Sequence, residues 1–63
     1  MKDTKLYKHI KERYKGYSEL ELLIMINIFE DMKKENKEKE KYLNECIECI
    51  KCYMEELKEK GLI

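Results

Sequence analysis

The sequence predicts an all-α fold, a short N-terminal helix plus an antiparallel helical hairpin that assembles as a homo-oligomeric bundle. Three observations carry this prediction. Proline is absent, Lys and Glu make up 25 of 63 residues, and Leu, Ile, Met and Tyr recur with helical period through that charged background, a pattern that propagates helices rather than disorder. The two glycines, Gly16 and Gly61, and a helix-start signal at Ser18 punctuate the chain into helix-length segments. Finally, a single helical domain over 1–63 is short enough to bury only about 60% of its unfolded surface, so its own core supplies roughly 3 to 5 kcal/mol and self-association is the default expectation.

The first helix is expected over about 4–15. Asp3 or Thr4 can cap it, and Leu6, Ile10 and Tyr14 follow i, i+4, i+8 with Tyr7 and Tyr17 beside that stripe. Gly16 closes it by entering a left-handed conformation. The second helix, about 19–35, has the strongest start signal in the chain. Ser18-Glu19-Leu20-Glu21 is a capping box, and Tyr17 with Leu22 stands at the positions of a hydrophobic staple. Within it Leu22, Ile24, Met25, Ile26, Ile28, Phe29 and Met32 span an arc of roughly 200°, wider than one neighbouring helix covers. Leu22, Met25, Ile26, Phe29 and Met32 are therefore assigned to an oligomer interface. The third helix, about 37–60, places Leu43, Cys46, Ile47, Ile50, Tyr53, Met54 and Leu57 on its core side and ends at Gly61.

Residues 33–41 hold no apolar side chain, and two architectures compete there. Either the chain turns near Asn36, a candidate N-cap, or one long helix continues through Asn36 as a polar position in a coiled-coil seam. Nine solvated residues make a poor seam, which favours the turn.

Candidate chemistry is sparse. Cys46, Cys49 and Cys52 form a C-x2-C-x2-C run, but one helix points them progressively apart, at about 30°, 90° and 150° from the core direction, while structural zinc needs four converging ligands. Only His9 could be the fourth. The expected reading is a core thiol at Cys46, a boundary thiol at Cys49 and a surface thiol at Cys52, with no metal and no cofactor. One His, one Ser already used as a cap and one Thr near the start leave no nucleophile–base pair in view, so no enzyme is expected. Glu19-Leu20-Glu21-Leu22-Leu23-Ile24 loosely resembles the E-L-D-x-L-I core motif of the small sporulation-type aspartyl-phosphate phosphatases, which are also tiny helical hairpins. Here Glu21 replaces the Asp, the Gln that usually follows the Ser is missing, and the motif opens a second helix instead of lying near the chain end, so the family is not assigned.

Charge is the informative asymmetry. The formal total is zero, yet residues 1–17 carry Lys2, Lys5, Lys8, Lys11, Arg13 and Lys15 against Asp3 and Glu12, and residues 18–63 carry the compensating acidic excess. Tyr7, His9, Tyr14 and Tyr17 are interleaved with those cations, a mixture suited to phosphate contact and base stacking. Arg13 is the single arginine, and its guanidinium can grip a phosphate in a bidentate manner. The expected function is a non-enzymatic, homo-oligomeric helical binding protein that engages a phosphate-bearing ligand, a nucleotide signal or nucleic acid, through Tyr7, Lys8, His9, Arg13, Tyr14 and Tyr17. The alternative is a protein-interaction inhibitor or regulator that docks on a target through the apolar second helix. Thirteen Lys to one Arg with no Ala or Pro is what AT-rich codons favour, pointing to a low-GC bacterium, its phage or a plasmid and to a sequestering or regulatory role. No apolar stretch approaches the roughly 20 residues that span a bilayer, and Met1-Lys2-Asp3 opens no signal-peptide core. A soluble, cytoplasmic protein without membrane contact is expected.

Overall fold

The computed structural model describes residues 4–63. Three helices follow one another: α1 Lys5–Arg13, α2 Glu19–Glu35 and α3 Glu40–Glu59, with a short 3-10 turn at Lys37–Lys39 between the last two. The all-helical prediction is met, and the first two helices begin on side-chain caps.

Thr4 caps α1, its hydroxyl accepting from the Tyr7 N–H at 3.1 Å; the other expected cap, Asp3, and the cation Lys2 lie outside the described residues. The helix stops at Arg13, two residues earlier than expected, with Tyr14 as its C-cap, and Gly16 reverses the chain at φ 87°. The capping box of α2 is complete: the Ser18 Oγ accepts from the Glu21 N–H at 3.2 Å, and the Glu21 carboxylate accepts from the Ser18 N–H at 2.9 Å. Those bonds hold the Glu21 carboxyl below the usual carboxylate range.

The chain leaves helical geometry at Asn36, φ −132° and ψ 86°, so the long-helix architecture is not the one adopted. Asn36 ends α2, its N–H donating to the Met32 carbonyl at 2.8 Å. It also stands at the expected N-cap position of the turn that follows, where its carbonyl accepts from the Lys39 N–H at 3.3 Å and its side chain makes no capping bond. The reason for the break is local, since nine polar residues give a straight continuation nothing to bury. At the far end of α3 the Leu62 N–H reaches the Leu57 carbonyl at 2.9 Å and the Gly61 N–H reaches Lys58 at 3.0 Å, a Schellman closure that needs the positive φ of Gly61, 71°.

Helix α3 is the centre of the molecule. It packs against both α1 and α2, while α1 and α2 make no close backbone approach to each other among the described residues. Glu19 at the start of α2 pairs with Lys58 at the end of α3 across 3.4 Å. Tyr7, Ile10 and Tyr14 of the N-terminal segment meet Leu22 of α2 and Cys49, Ile50, Tyr53 and Met54 of α3 in one cluster, with Leu6, Tyr17, Met25, Ile26, Phe29, Cys52 and Leu57 packed around it.

Two expectations change here. Leu22, assigned to an oligomer interface, is fully buried in the chain's own core, and Met25, Ile26 and Phe29 pack against that core; of the five assigned residues only Met32 is exposed. The inward face of α2 is thus satisfied by α3. Cys49, expected at the boundary between core and surface, is only 1% exposed, and Cys52 is half-buried rather than a surface thiol. A helix with neighbours on two sides has a wider buried arc than its own apolar pattern indicates, and α1 covers the side where Cys49 stands.

Candidate functional site

The residues expected to grip a phosphate ligand do not form one face. Tyr7 is 2% exposed and Tyr14 is buried with it, so neither offers a ring for a base to stack on. Both are core residues because Tyr7, Ile10 and Tyr14 sit on the side of α1 turned to α3. Tyr17 is half-buried and meets Tyr14 edge to face, ring centres 5.0 Å apart. Lys8, His9 and Arg13 remain exposed. His9 and Arg13 are i, i+4 neighbours, whereas Lys8 lies about 100° from His9 around the helix. The Arg13 guanidinium is 5.7 Å from the Tyr14 ring centre, a cation–π contact that holds its stem along the core edge.

The polar centre of the fold is a residue that sequence reasoning did not single out. The Glu56 carboxylate receives the Lys11 ammonium at 3.0 Å, the Tyr7 hydroxyl donates to it at 3.4 Å, and Lys60 stands 4.0 Å away. The Lys11 hydrogen bond holds the Glu56 carboxyl below its ordinary range. Burial, with the Glu56 charge second, pushes the Tyr7 phenol up to about 12. Lys11 also rides over the Tyr7 ring at 5.3 Å. This cluster ties α1 to α3 and is structural in character, since every group in it is answered by another.

Beside it opens a groove of about 870 Å³ at the end of the molecule where the 14–18 loop meets the close of α3. Its wall is apolar, with Tyr17, Leu20, Leu57, Leu62 and Ile63, and Lys11, Lys15 and Lys60 stand on its rim together with Glu12, Glu19 and Glu56. Leu20 is 68% exposed. From it an outward stripe runs along α2 through Leu23, Ile24, Ile28 and Met32, all exposed. The signal for this stripe was present in the sequence as Leu20, Ile24 and Ile28 at i, i+4, i+8, concealed because the whole helix is rich in apolar residues.

The two buried thiols, Cys46 and Cys49, offer no reactive site. Burial pushes both the Cys46 and the Cys49 thiol up, which disfavours the nucleophilic thiolate. Among the described residues no group of three or more His, Cys, Asp or Glu side chains is placed to hold a metal ion, and no helix is long and apolar enough to cross a membrane. Glu21, the acidic position in the phosphatase-like fragment, is committed to capping α2. No family model, curated protein or solved structure matches the chain.

Proposed function

We propose that this chain is a non-enzymatic helical interaction module, an antiparallel hairpin of α2 and α3 with α1 laid on α3, that acts by presenting the outward face of α2 to a protein partner and so regulates or inhibits it. The observation that carries the reading is the exposed stripe of Leu20, Leu23, Ile24, Ile28 and Met32. Scattered apolar side chains on a surface need no explanation, but five on one helix at i, i+3 and i+4 spacing form the anchor pattern with which a helix enters a groove.

The test is retention on immobilised chain of wild type and of Ile24→Asp, with circular dichroism to show that both are folded. A protein held by wild type and lost by the variant supports the reading. Equal retention, or none, moves the weight to a second reading, a phosphate-bearing ligand on α1. That second reading rests on one observation: Lys5, Lys8, His9 and Arg13 are exposed and make no ion pair among the described residues. Under it, Arg13→Ala abolishes binding of a nucleotide or oligonucleotide at low salt and leaves helicity unchanged.

A further inference from the structure

The outward face of α2 has two parts of different chemistry. At about 100° per residue, Leu20, Ile24, Ile28, Asp31 and Glu35 fall within an arc of about 80°, with Leu23 and Met32 on its two edges. The arc is apolar at its start and acidic at its end. At the start it runs without interruption into the groove described above, because Leu20 belongs to both surfaces. The rim of that groove carries Lys11, Lys15 and Lys60 beside Glu12, Glu19 and Glu56. Glu56 there is already answered by Lys11 and Lys60, and Glu19 by Lys58, whereas the exposed Lys15 and Glu12 make no ion pair among the described residues, Lys15 being the cation left for a partner's carboxylate.

We propose that a second copy of this chain covers the face, its α2 lying antiparallel on the first about a two-fold axis that passes at Ile24. The proposal rests on the reading of this face as an interaction surface and names its occupant. The position of the axis follows from the side chains. Leu20, Leu23, Ile24 and Ile28 are centred on Ile24, so a two-fold there sets Leu20 against Ile28 of the partner subunit and Ile24 against its own equivalent. Continuing outward, Asp31 of the partner subunit lies about 10 Å from the axis, which brings it over the groove mouth and Lys15. Met32 of the partner subunit follows it onto the apolar wall. Two-fold symmetry makes each of these contacts twice. An axis shifted to residue 26 would instead oppose Asp31 to Glu21 of the partner subunit and leave Leu20 against Met32. Charge and apolar content therefore select the same register.

Cysteine pairing in the full-length chain reads the register directly. Under mild oxidation, Ile24→Cys alone is expected to crosslink into a dimer. Leu20→Cys and Ile28→Cys are each expected to stay uncrosslinked alone and to crosslink when mixed, with the wild-type chain, whose Cys46 and Cys49 are buried, as background. Sedimentation supplies the second arm: Lys15→Asp or Asp31→Lys alone is expected to weaken the dimer about tenfold, and the two together to restore it to within about threefold, because each pair counts twice. Self-crosslinking at Leu20→Cys or Ile28→Cys in preference to Ile24→Cys overturns the axis, and a wild-type chain that sediments as a monomer up to about 100 µM overturns the dimer. A monomeric wild type that still loses a captured protein in Ile24→Asp removes the dimer and leaves the interaction reading in place. If Ile24→Asp alters neither self-association nor capture, both fall.

Discussion

Helices α2 and α3 are about equally apolar and bury very different shares of what they carry. In α3 seven side chains are buried, Leu43, Cys46, Ile47, Cys49, Ile50, Tyr53 and Met54; in α2 only Leu22 is. The cause is the number of neighbours. α3 lies between α1 and α2, whereas α3 is the one long helix that α2 packs along, and α2 turns its other side to water. An apolar arc is a demand for partners, and this chain meets that demand within itself for α1 and α3 but only in part for α2. The surplus on α2 is the reason to look there, rather than at the basic segment, for what the protein does.

The comparison is broken most directly from the α3 side. Ile50 is completely buried, and Ile50→Ala is expected to cost about 2 to 5 kcal/mol, enough to unfold a domain whose own core supplies roughly 3 to 5 kcal/mol; loss of the helical circular dichroism signal at 25 °C checks it. Next comes the contrast along the cysteine run. Cys49→Ser should destabilise by about 1 to 3 kcal/mol, since it puts a hydroxyl without a partner into an apolar site, while Cys52→Ser, half-buried, should stay within about 0.5 kcal/mol in chemical denaturation.

A pH titration sharpens the same contrast for the α1–α3 contact. The Tyr7 phenol is raised in the folded chain to about 12 by burial and by the Glu56 charge, and a raised pKa contributes stability that is complete below the unfolded value and fades as pH climbs toward the folded one. Melting temperature should therefore fall between about pH 10 and 12, and Tyr7→Phe should flatten that decline; an equal decline in the variant would show that another group controls it. The smallest effect is expected on the outward face of α2. Ile24→Ser should change the stability of the isolated chain by no more than about 0.5 kcal/mol at concentrations where it is monomeric, because Ile24 is half exposed there and touches no core cluster. A loss of several kcal/mol would mean that α2 is not one-sided after all.

Much of the fold was legible in the sequence because it is written in local chemistry. The capping box at Ser18 and Glu21, the glycines at Gly16 and Gly61 and the apolar periods of the three helices act over one or two turns, and each fixes an element without reference to distant residues. The site was less legible. Whether Tyr7 and Tyr14 stack on a ligand or fill a core depends on which helix α1 lies against, a long-range fact with no local signature. The same holds for Cys49, buried by a neighbour that its own helix does not encode. In α2 the period was read correctly, but with apolar residues nearly all round, periodicity could not say which side faces inward. The inward side was taken for the oligomer interface, while Leu20 and Leu23 on the other side entered only through the alternative in which the whole apolar helix from Leu20 to Met32 docks on a target.

The placement of α1 also sets a timetable for synthesis. Helix α1 leaves the ribosome before its packing partner α3, and about 40 residues separate Tyr14 from Met54; at roughly 5 to 20 residues per second, Tyr7, Ile10 and Tyr14 wait some seconds before α3 covers them. A segment in that position risks sticking to other nascent chains. Lys5, Lys8, Lys11, Arg13 and Lys15 surround those three side chains as gatekeepers of like charge. The cationic character of the N-terminal stretch thus has a use before folding is finished, whatever it touches afterwards.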